Sequence, residues 1–89
     1  MLIIYLLKAY VKGREEIMAE FCERLKMLRK ERGLKQREMA AQFGLALNSY
    51  QCYEYATRYP EFKGLIALAD FFDVSLDYLV GRSDVRERR

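Results

Sequence analysis

From Met18 onward, apolar residues return every three or four positions. Met18, Phe21, Leu25 and Leu28 make one apolar stripe, with Glu23, Arg24, Lys30 and Glu31 on the opposite face, which is the signature of a helix buried along one side. Gly33 ends this first helix by accepting the left-handed conformation. A second helix is expected over Lys35–Phe43, with Met39, Ala40 and Phe43 inward, closed by Gly44. A third follows over Leu47–Tyr55, with Tyr50 and Tyr53 inward. "ATRYP" is a loop, and Pro60 suits the first turn of a fourth helix. The stripe of that helix is Phe62, Leu65, Ile66, Ala69 and Phe72. Gly64 lies inside it, at a cost of about 1 kcal/mol relative to Ala. Ser75 is a good N-cap for a short last helix, Leu76–Val80, stopped by Gly81. The remainder, "RSDVRERR", is charged and expected to fray. The organisation is thus an arm at 1–17, a helical domain at 18–81 and a tail at 82–89.

The arm opens with "MLIIYLLKAYV", apolar except for Lys8. A membrane span needs about 20 such residues, and this run stops at "KGREE". Basic residues ahead of it and a small-residue cleavage site behind it, the marks of a signal peptide, are both missing. The run fits a buried strand, or a short helix with Ile3, Leu6, Leu7 and Tyr10 on one face; periodicity does not separate them. Such an arm is expected to pack on something, a symmetry-related copy first. A second reading is that "GREEIM" is an in-frame translation of a purine-rich ribosome-binding site and a start codon. The natural start is then Met18, and mass spectrometry of the native N-terminus decides between the two.

Composition supports an all-α domain. Hydrophobic residues make up 52% and charged residues 33% of the 89, so the chain is globular rather than disordered. With one Pro and five Gly, helix breakers are few. Cys22 and Cys52 read as free thiols in a reducing cytoplasm. The sequence holds no His, which removes the commonest general base and metal ligand. No metal site, cofactor or small-molecule ligand is expected. No pair of residues offers a nucleophile with its base and no Gly-rich loop could cradle phosphate, so an enzyme is not expected either.

Charge adds a direction. The formal net charge is +3, but residues 21–59 alone carry +4, against zero for 1–20 and −1 for 60–89. The local excess falls on the span that holds the two-helix motif and suits a polyanion partner; the plain alternative is a solvated face of mixed charge. Yet the third helix carries a single charged residue, Glu54.

Two short helices joined at a Gly, with a small residue where they approach and apolar supports on both, can hold the second clear of the body. It can then enter a DNA major groove about 12 Å wide. Ala40 is the small residue, Gly44 the turn, and Met39, Leu45 and Tyr50 the supports. That spacing alone is a weak signal, because any helical hairpin can show it. The stretches "RLKMLRKERGLKQREMAAQFGL", "YE" and "P.F..LIALADFFDVSLDYLVGR" make it specific. Over Phe21 to about Ser83 the chain resembles the Cro/phage-repressor (XRE-like) helix-turn-helix family of bacterial and phage transcription regulators. The resemblance implies a five-helix bundle of the lambda-repressor-like type, usually dimeric, binding operator DNA. It implies that Gln36 touches the DNA backbone and helps orient the third helix. Leu47, Asn48, Gln51 and Cys52 match the family's base readers. Ser49 matches a phosphate contact, and Thr57, Arg58 and Tyr59 match backbone contacts.

Each assignment has a plainer counterpart. Asn48 pairs with adenine or merely caps the helix. Leu47 meets a thymine methyl or packs in a protein interface. Cys52 is a small surface residue or a half-buried thiol. Lys35 and Arg37 contact phosphate or are solvated charges. Tyr53, Tyr55 and Tyr59 read as an aromatic cluster in the core or at a dimer contact. The chain also departs from the family. Lys35 and Ala46 stand where Ser or Thr N-caps are usual, a loss of about 0.5–2 kcal/mol each. Glu38 can supply half of a capping box. The third helix could instead start at Asn48, with Gln51 as box partner. Tyr50 stands where a β-branched aliphatic is common, and its hydroxyl needs a partner. Two functions remain: a regulator binding double-stranded DNA as a homodimer, or a protein-interaction module that keeps the fold and has lost DNA binding.

Overall fold

The computed structural model describes residues 14–88, with side chains from Glu20 onward. Among these residues the chain forms five helices and no strands: α1 (Arg14–Glu31), α2 (Gln36–Gln42), α3 (Leu47–Glu54), α4 (Phe62–Phe72) and α5 (Leu76–Leu79). The reading of the arm as strand or helix, and its dimer contact, falls on residues 1–13, which lie outside the described residues. α1 starts four residues before the apolar stripe does. Periodicity marks where a helix is buried, not where it begins.

The core is contributed by every helix. Phe21, Leu25 and Leu28 of α1 meet Met39 and Ala40 of α2, Tyr50 of α3, Leu68, Ala69 and Phe72 of α4, and Val74, Tyr78 and Leu79 around α5. Burying such side chains contributes roughly 1.5–3 kcal/mol each, before conformational entropy is counted. Phe21 stacks on Tyr59 with centroids 4.9 Å apart, which fixes the loop after α3 against α1.

Two expectations for α4 need correction. Glu61 is its N-cap, so Pro60 precedes the helix rather than forming its first turn. Phe62 is 67% exposed and Ile66 is also exposed; the packed face is Leu65, Leu68, Ala69 and Phe72. Among the described residues the apolar stripe is wider than the surface that covers it, and Phe62 lies in a first turn that is mostly exposed. Gly64 has a packing reason. A Cβ there would sit 3.2 Å from Cβ of the buried Pro60, a close approach that offsets the poor helix propensity of glycine.

The tail is not frayed. The Ser75 N–H donates to Arg86 O at 2.8 Å and the Ser75 hydroxyl to Val85 O at 3.0 Å. The Ser75 hydroxyl also caps α5, accepting from the Tyr78 N–H at 3.0 Å. Arg24 reaches from α1 to the carbonyls of Tyr78 and Ser83, both at 2.6 Å, and to Asp84 at 2.8 Å. Arg86 pairs with Glu31 at 2.8 Å, and Arg88 with Asp70. The charge run is the outer half of a set of ion pairs whose inner half sits on α1 and α4, which a single-sequence reading takes for a solvated tail.

Candidate nucleic-acid interface

The α2–α3 unit is set by two glycine turns of one kind. Gly44 has φ +66°, and the N–H groups of Gly44 and Leu45 donate to Ala41 O and Ala40 O at 3.2 and 2.8 Å. Gly33 closes α1 in the same way, with Gly33 to Lys30 O at 2.9 Å and Leu34 to Arg29 O at 3.1 Å. This paired closure satisfies the last helix carbonyls and turns the chain sharply. The Lys35 N–H donates to the Glu38 carboxylate at 2.8 Å. That is half of a capping box; the other half is closed to Lys35, whose ammonium has no acceptor. α3 begins at Leu47 behind Ala46, which makes no side-chain cap. The alternative start at Asn48 is therefore set aside.

The one charge of α3 points inward. Glu54 is 1% exposed. Its Oε2 accepts from Arg29 Nε at 2.6 Å and from the Tyr50 hydroxyl; its Oε1 accepts from Arg29 Nη2 at 3.1 Å and Gln36 Nε2 at 3.1 Å. Arg29 spends Nη1 on Leu34 O at 2.8 Å. Tyr50 thus has the hydroxyl partner that its burial demands. Burial alone would raise the Glu54 pKa, but hydrogen bonds from Arg29, Tyr50 and Gln36 outweigh it and hold the carboxyl below its usual range. Burial and then the bond to Glu54 push the Tyr50 phenol well above its ordinary value. The bond to Glu54 likewise raises Arg29. The network ties α1, α2 and α3 together at one point. Cys22 adds a thiol donation to the Glu54 carbonyl at 2.8 Å, and burial pushes that thiol up.

With Glu54 withdrawn, the outer side of α3 is uncharged. Leu47 is 42% exposed, Asn48 is exposed, and Ser49, Gln51 and Cys52 are half-buried. Arg37 is exposed on α2, Lys35 at its N-cap, and Arg58 in the loop beyond α3. Gln36 is half-buried; its Oε1 accepts from Gln51 Nε2 at 3.0 Å, and the Tyr55 hydroxyl lies 3.4 Å from its Nε2. The structure therefore brings Gln36 and Gln51 together and adds Tyr55, 56% exposed. The three tyrosines are not one cluster. Tyr53 packs edge-on to Tyr50, Tyr59 stacks on Phe21, and Tyr55 faces out. Thr57 is exposed and folds back on α3, its hydroxyl donating to Cys52 O at 3.3 Å. Sequence reasoning missed the Arg29–Glu54 pair. The signal was present: a lone carboxylate on an otherwise uncharged helix, four residues after a tyrosine that needs a partner.

A helix whose outer side offers amides, a hydroxyl and methyl groups, flanked by Lys35, Arg37 and Arg58, can present hydrogen-bond and apolar contacts to base edges and cations to phosphates. Comparisons with known proteins agree with that chemistry. The chain is 39% identical over 64 residues to the uncharacterized HTH-type transcriptional regulator YobD of Bacillus subtilis, covering 72% of this chain and 57% of that protein. It is 43% identical over 60 residues to YqaE of the same organism, covering 67% and 52%. It is 38% identical over 60 residues to the cryptic phage CTXphi transcriptional repressor RstR of Vibrio cholerae, covering 67% and 54%. The chain thus spans a little over half the length of these relatives. No solved structure matches it. Residues 25–79, well over half of the chain, match the helix-turn-helix family, and with α2 and α3 in that arrangement the chain belongs to it.

Proposed function

We propose that this chain is a sequence-specific DNA-binding transcriptional regulator of the cytoplasm, a repressor in its simplest form, binding operator DNA as a homodimer through α3. The observation that carries the reading is the inward turn of Glu54. It removes the only negative charge from α3 and leaves Leu47, Asn48 and Gln51 on a surface bordered by cations. In this reading α3 enters the major groove and reads bases through amide and methyl contacts. Lys35, Arg37 and Arg58 hold phosphates, Ser49 adds a hydroxyl contact, and Gln36 supports the helix from behind. Cys52 lines the edge of the surface. Two copies would engage half-sites about one helical turn, ~34 Å, apart.

Selection from random duplexes followed by fluorescence anisotropy tests the reading. Asn48→Ala is expected to relax one position of the selected motif, and Arg37→Ala to weaken all sequences about equally. A pool that yields no enriched sequence, from protein that is folded by circular dichroism, refutes DNA reading. It would favour instead a protein-interaction role for the exposed Leu47, Tyr55 and Phe62.

A further inference from the structure

Among the described residues, one side of α4 is left largely uncovered. Its packed side is Leu65, Leu68, Ala69 and Phe72. At about 100° per residue, Lys63, Ile66, Ala67 and Asp70 fall together on another side. Ile66 is 38% exposed, Lys63 and Asp70 are exposed, and Ala67 is half-buried. The spacing i, i+3, i+4, i+7 is that of a seam along which two helices pack. α4 packs on α5, whereas α3 packs on α1 and α2, so the seam is not part of the α2–α3 face.

The charges along the seam point to its occupant. Lys63 stands at one end and makes no ion pair among the described residues. Asp70 stands at the other, with Asp73 just beyond. These two carboxylates share the single guanidinium of Arg88, which lies 3.7 Å from Asp73, so that end keeps an excess of negative charge. The seam is therefore its own complement. A second copy turned end for end, about a twofold axis between Ile66 and Ala67, sets Lys63 against the partner's Asp70. Positions 63 and 70 are equally far from that axis, so both ion pairs form at once. Ile66 then meets the partner's Ala67, which is small enough to let the helices approach. Parallel helices would instead set Lys63 on Lys63 and Asp70 on Asp70.

Resting on the DNA-reading function above, we propose that Lys63, Ile66, Ala67 and Asp70 form the contact through which two copies pair on DNA, α4 antiparallel to α4. Two helices of 11 residues bury well under the roughly 1,200 Å² of a stable interface. The pair is therefore weak in free solution. It forms when adjacent half-sites hold both copies close, which makes the contact effectively intramolecular.

The test takes duplexes enriched by random selection and compares a single half-site with the inverted repeat, by gel shift with the full chain. The variants are Lys63→Asp, Asp70→Lys, the double variant and Ile66→Glu, each checked for fold by circular dichroism. Arg88→Ala controls for the tail contact that Asp70→Lys also breaks and should leave cooperativity in place. The wild type should bind the inverted repeat cooperatively. Each charge reversal sets like charges together at two symmetric places. Cooperativity should fall about 3- to 30-fold, the range for two exposed ion pairs, with half-site affinity unchanged. The double variant restores unlike charges across the axis and should recover most of the loss. Ile66→Glu should abolish cooperativity. A merely structural role would lower half-site binding and would not be rescued by the double variant, which overturns the proposal. Cooperativity untouched by all four variants, or a selected motif without an inverted repeat, overturns it too and leaves the DNA-reading function standing. A wild-type pool with no enrichment overturns both.

Discussion

Glu54 shows how much one side chain can carry. Its partner Arg29 has been taken out of water with it, so removing either leaves the other charged and unpaired. Such truncations cost about 3–5 kcal/mol. Glu54→Ala is expected to destabilise the fold by that order, read by urea denaturation, whereas substitution of an exposed carboxylate such as Glu61 should cost under 1 kcal/mol. Because the folded state holds this carboxyl below its unfolded range, its contribution is present above about pH 4.3 and lost as pH falls through the lower folded value. The stability gap between wild type and Glu54→Gln should accordingly be widest near neutrality and close in acid. Ala56 is the other informative residue. It follows α3 with φ +60° and is exposed, a left-handed conformation that is strained for any residue with a Cβ. Ala56→Gly should raise stability by about 1 kcal/mol, since relief of that strain exceeds the extra chain entropy of glycine. No change, or a loss, in the denaturation midpoint would contradict that.

Helices α2 and α3 enter without side-chain caps from Lys35 and Ala46, and both N-caps are exposed in extended backbone. Ala46→Ser should stabilise by about 1 kcal/mol, because its hydroxyl can accept from an orphan N–H of the first turn. A melting temperature at or below that of the wild type would refute this. The boundaries of α2, α3 and α5 were legible to within a residue, since Gly33, Gly44, Ser75 and Gly81 act through local backbone chemistry that leaves its mark in sequence. What was not legible is contact over distance. The tail looked solvated because Arg24, Glu31 and Asp70, which hold it, lie far from it in the chain. Phe62 and Ile66 were placed inward because periodicity gives a stripe and not the width of what covers it. In the candidate interface, the outward placement of Asn48 and Leu47 followed from the family resemblance rather than from the apolar pattern. The Glu54–Gln36–Gln51 chain did not, because its hydrogen bonds join residues 15 and 18 positions apart.

For the molecule as a whole, positive charge is concentrated in residues 21–59 but is largely absent from the surface that would meet the bases. Arg29 is buried against Glu54, and Arg24 is drawn into the tail contacts. The cations that border α3 are Lys35, Arg37 and Arg58, so non-specific affinity should be modest. The slope of log K against log salt should correspond to only a few ions per subunit, read by anisotropy between low and physiological salt; binding indifferent to salt would refute it. The claim on which the account turns is that the α2–α3 face is the surface that meets DNA. Amide chemical-shift mapping of labelled protein against a selected duplex tests it most directly. Perturbations are expected to centre on Gln36, Arg37, Leu47 to Cys52 and Arg58, with the Gln36 and Gln51 side-chain amides shifting together. Perturbations centred on α4 and α5, with α3 amides unmoved, would contradict it.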